Sequence, residues 1–229
     1  ADISYSLRNV SFFSEVAGSN NGGRAMLAGL MASLHATCDM AMVYRNYNAS
    51  YTNTLSNAFS NASTPTDEKG LYTGITLKLR RGFRLLGYLD MFASPLPKYR
   101  VDFPSHGSDA AGALQYVPTK ALKLECRYRI IRDQINATRA ENENMVRPAD
   151  QQKTTLRLQC DYAPDASWKF RTRCEFVKGG QEYSPIQFGT LAFQDLSYQP
   201  VNGRWEVTLR YCLFQSGGSY ARMYAFEND

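Results

Sequence analysis

The stretch LKLECRYRII (residues 122–131) alternates apolar and charged side chains along most of its length. The apolar members are Leu122, Leu124, Cys126, Tyr128 and Ile130, and the charged members are Lys123, Glu125, Arg127 and Arg129. A period of two puts the two classes on opposite faces of an extended chain. The stretch therefore predicts a β-strand whose two faces meet different surroundings.

The same alternation recurs along the 229-residue chain. It is clearest at residues 156–162, 168–176 and 205–213, and weaker at residues 3–16, 24–32, 37–44, 71–79, 83–92, 110–116 and 189–198. These segments predict about eleven strands of roughly 8 to 13 residues. Globular strands usually have about 5 to 6 residues, whereas a tilted strand that crosses a bilayer needs about 9 to 11. The lengths therefore favour a β-barrel in a membrane.

Short turns and long polar connections alternate between these segments. Tight turns are predicted near Leu34, Arg81, Pro118, Pro164 and Asn202, and the long connections are residues 18–23, 46–70, 94–108, 133–153 and 178–187. Three tight turns place a Tyr two residues before a Pro that is expected to stop the strand, at Tyr116, Tyr162 and Tyr198. Short turns at one end of the strands and long loops at the other end are typical of outer-membrane barrels. The loop at 46–70 is expected to form either a plug or a lid.

Composition excludes several other classes of protein. No apolar run approaches the roughly 18 to 20 residues of a transmembrane helix, which excludes a helical membrane protein. The five cysteines are scattered singly without CxxC pairs, so neither a disulfide framework nor a structural zinc site is predicted. No change in composition marks a domain boundary, and we treat residues 1–229 as one barrel region.

A soluble β-sandwich is the main competing fold, because its strands also alternate apolar with polar residues. Strand length and the asymmetry of the connections argue against it. So does the polar face, which carries Arg where a soluble exterior usually carries Lys and Glu. Arg that faces Asp and Glu on neighbouring strands would neutralise the inside of a barrel.

The charged positions of these strands are the predicted lumen-lining residues. They are Arg45, Arg84, Glu125, Arg127, Arg129, Arg157, Asp161, Arg171, Arg173, Glu175, Glu206 and Arg210, with Asp90 as a further acid. Such a stripe could select anions, or it could be a ladder of salt bridges that fills a closed lumen; we favour the ladder. Basic and aromatic residues lie on opposite faces of each strand, whereas a nucleic-acid groove needs both on one face. We therefore predict no nucleic-acid binding.

An outer-membrane enzyme is the alternative function. The only histidines are His35 and His106, and Ser105, His106 and Asp109 lie close together in one connection. Neighbours in sequence rarely converge as a catalytic triad, and the two histidines lack metal-ligand spacing. The sequence therefore predicts no catalytic residues, no metal and no cofactor.

Three segments resemble a known family: YRNYNASYTNTLSNAFSNASTPTDEKGLYTGITLKL (44–79), LPKYRVDFPS (96–105) and LRYCLFQSGGSYARMYAFEND (209–229). They are similar to the barrel region of large outer-membrane proteins of Bacteroidetes that are labelled helix-hairpin-helix domain-containing proteins. In that family the helix-hairpin-helix segment lies upstream of the barrel, so its DNA-backbone binding transfers to no residue here. The family barrel continues further, and the resemblance implies that this chain is a fragment of a larger barrel.

Together these observations predict an all-β, antiparallel, up-and-down transmembrane β-barrel in the bacterial outer membrane. The expected function is non-enzymatic, either of the channel or transport type or as a component of an envelope assembly. The expected partners are the lipid bilayer and either other envelope proteins or missing strands of the same barrel, because an unpaired sheet edge in lipid is costly.

Overall fold

The fold is taken from a computed structural model, which describes residues 1–53, 58–62, 64–99, 101–137, 148–182, 184–201 and 203–224. The described residues form twelve β-strands. They are β1 (Asp2–Leu7), β2 (Val10–Gly18), β3 (Arg24–His35), β4 (Cys38–Tyr47), β5 (Glu68–Lys78), β6 (Phe83–Ser94), β7 (Ser105–Thr119), β8 (Leu122–Asn136), β9 (Pro148–Tyr162), β10 (Trp168–Gln181), β11 (Gln187–Tyr198) and β12 (Val207–Ser216). Two short 3₁₀ turns, Arg80–Gly82 and Ser219–Ala221, are the helical elements in this part of the chain.

The twelve strands follow one another in a single antiparallel sheet, in the order β1 to β12. The all-β, up-and-down prediction is therefore confirmed, and the fold is of the kind that β-barrels use. The sheet is not closed, since its order begins at β1 and ends at β12. Among the described residues, neither helical element has the length and apolar character needed to cross a membrane.

The predicted strand at residues 3–16 is wrong, because the structure divides it into β1 and β2. Leu7 pairs with Val10 across a two-residue turn, and Arg8 adopts a positive φ of 54° there. Positive φ at a turn residue fits the tight hairpins that join twisted antiparallel strands. The sequence indicates this turn, because the apolar residues stand at odd-numbered positions up to Leu7 and the next one, Val10, stands at an even-numbered position. The described strands therefore number twelve instead of about eleven.

Pro118 does not stop its strand as predicted. It is an exposed residue inside β7, which continues to Thr119, and the turn follows at Lys120 and Ala121. Proline lacks an N–H donor, and it is tolerated close to the end of a strand where that donor is not needed. The turns predicted near Arg81 and Pro164 are present, whereas Asn202 lies outside the described residues.

Several strands are longer than predicted. β7, β8 and β9 have 15 residues each, so β8 and β9 extend into the segment expected to be the loop 133–153. Their polar ends escaped detection because Asp133, Gln134 and Asp150 interrupt the alternation. Strands of this length exceed what a globular sheet usually contains.

The chain divides into two compact units. Unit 1 comprises residues 1–77, 87–110 and 131–151, and unit 2 comprises residues 78–86, 111–130 and 152–229. In unit 1, register pairs Arg45 of β4 with Leu27 of β3 and Gly70 of β5. In unit 2, register pairs Arg173 of β10 with Phe193 of β11. Treatment of the chain as one barrel region stays a prediction.

Burial across the strands is the reverse of that in a soluble sheet. In β8, the apolar Leu124 and Tyr128 are exposed, whereas Glu125 is half-buried. In unit 1 the apolar Ile75 is exposed and the charged Arg45 is completely buried. We call the face that carries Ile75, Leu89, Leu124, Leu158 and Leu209 the apolar face, and the face that carries Arg45, Asp90, Arg127, Arg157 and Arg210 the charged face. Soluble proteins rarely shield charge while they expose rows of large apolar side chains.

Candidate functional site

Eleven of the twelve predicted lumen-lining residues lie in strands: Arg45 in β4, Arg84 in β6, Glu125, Arg127 and Arg129 in β8, Arg157 and Asp161 in β9, Arg171, Arg173 and Glu175 in β10, and Arg210 in β12. The twelfth, Glu206, precedes β12. Its side chain is exposed and lies 3.6 Å from the ammonium group of Lys169. The two units hold different arrangements of these charges.

A buried ion-pair triad centres on Arg45 in unit 1. The Arg45 Nε donates to Glu68 at 2.5 Å, and its Nη1 and Nη2 donate to the two oxygens of Asp90 at 2.7 and 3.1 Å. The side chains of Arg45, Glu68 and Asp90 are 0%, 2% and 14% exposed. A guanidinium that uses its fork on one carboxylate and its Nε on another is geometrically fixed. The triad therefore holds β4, β5 and β6 together on the charged face.

Glycine at position 70 makes room for this triad. Gly70 lies directly opposite Arg45 in the β4–β5 register, and a side chain on it would overlap the guanidinium group. The Arg45 side chain can therefore lie across β5 and reach β6. Close approach of another group is one of the reasons for a glycine within a strand.

Hydrogen bonds attach the loop between β4 and β5 to the same triad. The Glu68 carboxylate accepts hydrogen bonds from the backbone N–H groups of Asn61 at 2.9 Å and Ala62 at 3.1 Å. The Tyr47 hydroxyl donates to the Phe59 carbonyl at 2.9 Å, and the Phe59 ring lies 5.2 Å from the Arg45 guanidinium. The described loop residues therefore pack on the charged face of unit 1.

Tyr47→Phe tests this attachment. The substitution removes one hydroxyl donor to the loop and leaves the ring in place, so the free energy of unfolding should fall by only about 0.5–1.5 kcal/mol. Hydrogen exchange should rise in the backbone amides of Asn61 and Ala62 more than in those of β4. Equal acceleration in both places would show that the loop is not separately attached.

In unit 2, charges of alternating sign cross five strands in one row. The row consists of Lys123, Asp161, Arg171, Asp195 and Arg210. Arg171 Nε donates to Asp161 at 2.8 Å, Arg171 lies opposite Asp195 in register, and Arg210 donates to Asp195 at 2.5 and 2.7 Å. The bond from Ala163 N to Ala121 O sets the register that places Lys123 opposite Asp161. Opposite charges directly across a strand pair are stabilising.

In a second row Arg173 has a neutral partner, and the acid of this row, Glu125, lies on β8. The Arg173 Nε and Nη2 donate to the amide oxygen of Gln159 at 3.0 and 2.8 Å. Phe193, which is only 4% exposed, lies between two cations, with the Arg173 guanidinium 5.0 Å and the Arg210 guanidinium 4.5 Å from its ring centre. Both contacts are of the cation–π type. The ring therefore takes the position between two cations that a carboxylate takes on the first row.

A third row breaks the alternation of charge. Arg157 Nε donates to Glu175 at 2.9 Å, with side chains 27% and 8% exposed. Counted in equal steps from the Ala163–Ala121 hydrogen bond, Arg127 lies opposite Arg157. Among the residues that the structure describes, Arg127 has no ion-pair or hydrogen-bond partner. Two cations thus adjoin each other where the ladder would place a pair of opposite charge.

The segment after β12 also packs on the charged face of unit 2. Tyr220 donates from its hydroxyl to Gln181 at 2.5 Å and from its backbone to Gln187 at 3.0 Å, and Ala221 is fully buried. The Lys153 ammonium donates to the carbonyl of Arg222 at 2.6 Å. Side chains at Gly179 or Gly189 would overlap this segment. It therefore covers part of the charged face of β10 and β11.

The structure does not gather the residues of the enzyme alternative into a triad. Ser105 and His106 are neighbours in β7 and so point to opposite faces. Asp109 accepts a hydrogen bond from the Tyr88 hydroxyl at 3.1 Å. Within the described ranges, no group of three or more His, Cys, Asp or Glu residues is placed to hold a metal ion.

Sequence reasoning missed Glu68 and Asp195. Glu68 begins β5, but the alternation becomes visible only from residue 71. Asp195 shares its face of β11 with Leu191 and Phe193, which hides its charged character. One feature of the sequence could have indicated these two acids. The predicted charged face holds more Arg than Asp and Glu, and shielded arginines favour further carboxylates nearby.

Comparisons with protein-family models, with curated proteins and with solved structures give no match to this chain. The fold and its two charged arrangements are therefore the basis for any statement about function.

Proposed function

We propose that this chain is the barrel region of a non-enzymatic outer-membrane protein, acting as an envelope-assembly or anchoring component whose charged interior is filled. The antiparallel all-β fold is compatible with an outer-membrane β-barrel. The observation that carries the proposal is the reversed burial, with rows of exposed apolar side chains on one face and shielded ion pairs on the other. Lipid is the surrounding that makes such an apolar face favourable.

Filling of the charged face favours an anchoring component over an open pore. In unit 1 the triad and the loop between β4 and β5 occupy that face, and in unit 2 the charge ladder and the segment around Tyr220 occupy it. Water-filled channels keep a polar lumen free for solutes. A transport role is the second candidate, and the unpartnered Arg127 is the observation that favours it.

Two native cysteines allow a direct test of the membrane assignment. Cys126 is exposed and belongs to the apolar face of β8, whereas Cys212 is exposed and lies opposite Phe193 on the charged face of β12. Variants that keep one of the two cysteines and replace the other four by serine are assembled in lipid vesicles and treated with a water-soluble maleimide. Cys126 should stay unlabelled until the chain is denatured, and Cys212 should label more readily.

The outer-membrane fraction and gel mobility supply the matching control. Each variant should be recovered with the outer membrane and should migrate differently before and after heating, as folded barrels do. A soluble monomer in which Cys126 labels as fast as Cys212 would overturn the proposal and favour the β-sandwich.

A further inference from the structure

We propose that the third row of unit 2 holds a binding site for a phosphate-type oxyanion between Arg127 of β8 and Arg157 of β9. The inference rests on the proposed function, because this row lies on the charged face of the proposed barrel, at a place where the filling leaves Arg127 and Arg157 half-buried and in reach of water. It goes beyond that function by assigning a ligand class to a defined place on the charged face.

The first argument is the local imbalance of charge. Arg127 and Arg157 lie opposite each other, and Glu175 is the carboxylate bound to Arg157. Like charges directly opposite across a strand pair destabilise a sheet. The first row, with Asp161 and Asp195 between its cations, shows the arrangement that lacks this cost. The acid Glu125, two residues earlier on the same face of β8, has other partners: it accepts from the Gln115 amide at 2.7 Å and lies 3.8 Å from the Lys123 ammonium group. Within the described residues, no carboxylate of the third row is therefore bound to Arg127.

The second argument is the supply of hydrogen-bond donors. A guanidinium carries five N–H donors. Arg127 makes no hydrogen bond within the described part of the chain, and the contact of Arg157 with Glu175 uses its Nε. Both side chains are half-buried, which weakens the competition from water. The guanidinium groups of Arg127 and Arg157, on adjacent strands, therefore both have N–H donors that can bind an acceptor.

The third argument concerns the shape of the ligand. A planar carboxylate matches the fork of one guanidinium, whereas a tetrahedral oxyanion presents oxygens in several directions and can accept from two guanidinium groups together. Arg173 adds positive potential from the next row, since its partner Gln159 is neutral. Inorganic phosphate, or the phosphate group of a larger solute, has the required chemistry.

The experiment measures binding of inorganic phosphate to the full chain folded in detergent, by calorimetry at constant ionic strength. Arg127→Gln should weaken binding by about tenfold or more, which corresponds to the loss of charged hydrogen bonds. The matched control is Arg84→Gln, which removes an exposed arginine of β6 that has no partner in the described part of the chain. Binding by this control should be unchanged.

Arg127→Glu separates a binding site from a merely unbalanced surface. The new carboxylate would complete the alternation with Arg157, so this variant should lose phosphate binding and yet be more resistant to urea than the wild-type protein. Absence of phosphate binding by the wild-type protein, equal weakening by Arg84→Gln, or lower urea resistance in Arg127→Glu would overturn the inference.

Different measurements test the proposed function and this inference, so the two can be rejected independently. Heat-modifiable mobility and protection of Cys126 report on the barrel, whereas the calorimetric titration reports on the anion. A correctly assembled barrel without phosphate binding would remove the inference alone, and a soluble chain would remove the barrel.

Discussion

Arg45→Met is expected to lower the free energy of unfolding by about 3–5 kcal/mol, which is the usual cost of removing one partner from a buried ion pair. The substitution leaves Glu68 and Asp90 as acids in a region where their side chains are 2% and 14% exposed. It also removes the cation that lies over Phe59. Urea unfolding followed by heat-modifiable mobility measures the loss, and most of the variant should fail to assemble.

Arg171→Met is the matched control, since it also removes an arginine that pairs with a carboxylate on an adjacent strand. Arg171 and Asp161 are 44% and 28% exposed, and such partly solvated pairs contribute only about 0–1 kcal/mol. The triple substitution Arg45→Met, Glu68→Gln and Asp90→Asn should recover part of the stability, because it leaves no uncompensated charge. Equal losses in Arg45→Met and Arg171→Met would contradict the distinction between the two units.

The sequence predicted the antiparallel fold and most of the charged face because both depend on a period of two. Arg157, Arg171 and Arg210 stand out against apolar neighbours, and alternation assigns them to one face without knowledge of register. Register itself follows from turns and hydrogen bonds between strands. The partners Glu68, Asp161 and Asp195 could therefore be paired with particular arginines only in the structure.

Features that depend on loops were beyond the reach of periodicity. The sequence placed residues 46–70 in a polar loop and left its role open between plug and lid. Its attachment needs Glu68, Phe59 and Gly70 at positions that only the folded strands define. The turn at Arg8 was missed although the apolar positions change from odd to even numbers there, because a two-residue turn interrupts the alternation only briefly.

Leu158→Arg is expected to block assembly, because it places a cation on the apolar face. Leu158 lies well inside β9 and is 44% exposed. Arginine on the lipid face of a barrel costs about 2–4 kcal/mol near the midplane and about 0–1 kcal/mol near the interface. Leu124→Arg, close to the turn at Lys120, should therefore be milder. Refolding yields into vesicles and urea unfolding measure both.

A soluble β-sandwich predicts no such difference between the two leucine sites. An exposed leucine in water can become arginine with a change usually within about 0.5 kcal/mol, so neither Leu158→Arg nor Leu124→Arg would matter there. Arg127→Leu provides the control on the charged face, where the lost side chain has no protein partner in the described part of the chain. Its effect should be smaller than that of Leu158→Arg if lipid covers the apolar face. Leu158→Arg should therefore cost clearly more than Arg127→Leu if lipid covers the apolar face and no more than Arg127→Leu if water covers it, so the comparison decides which of the two surrounds this face.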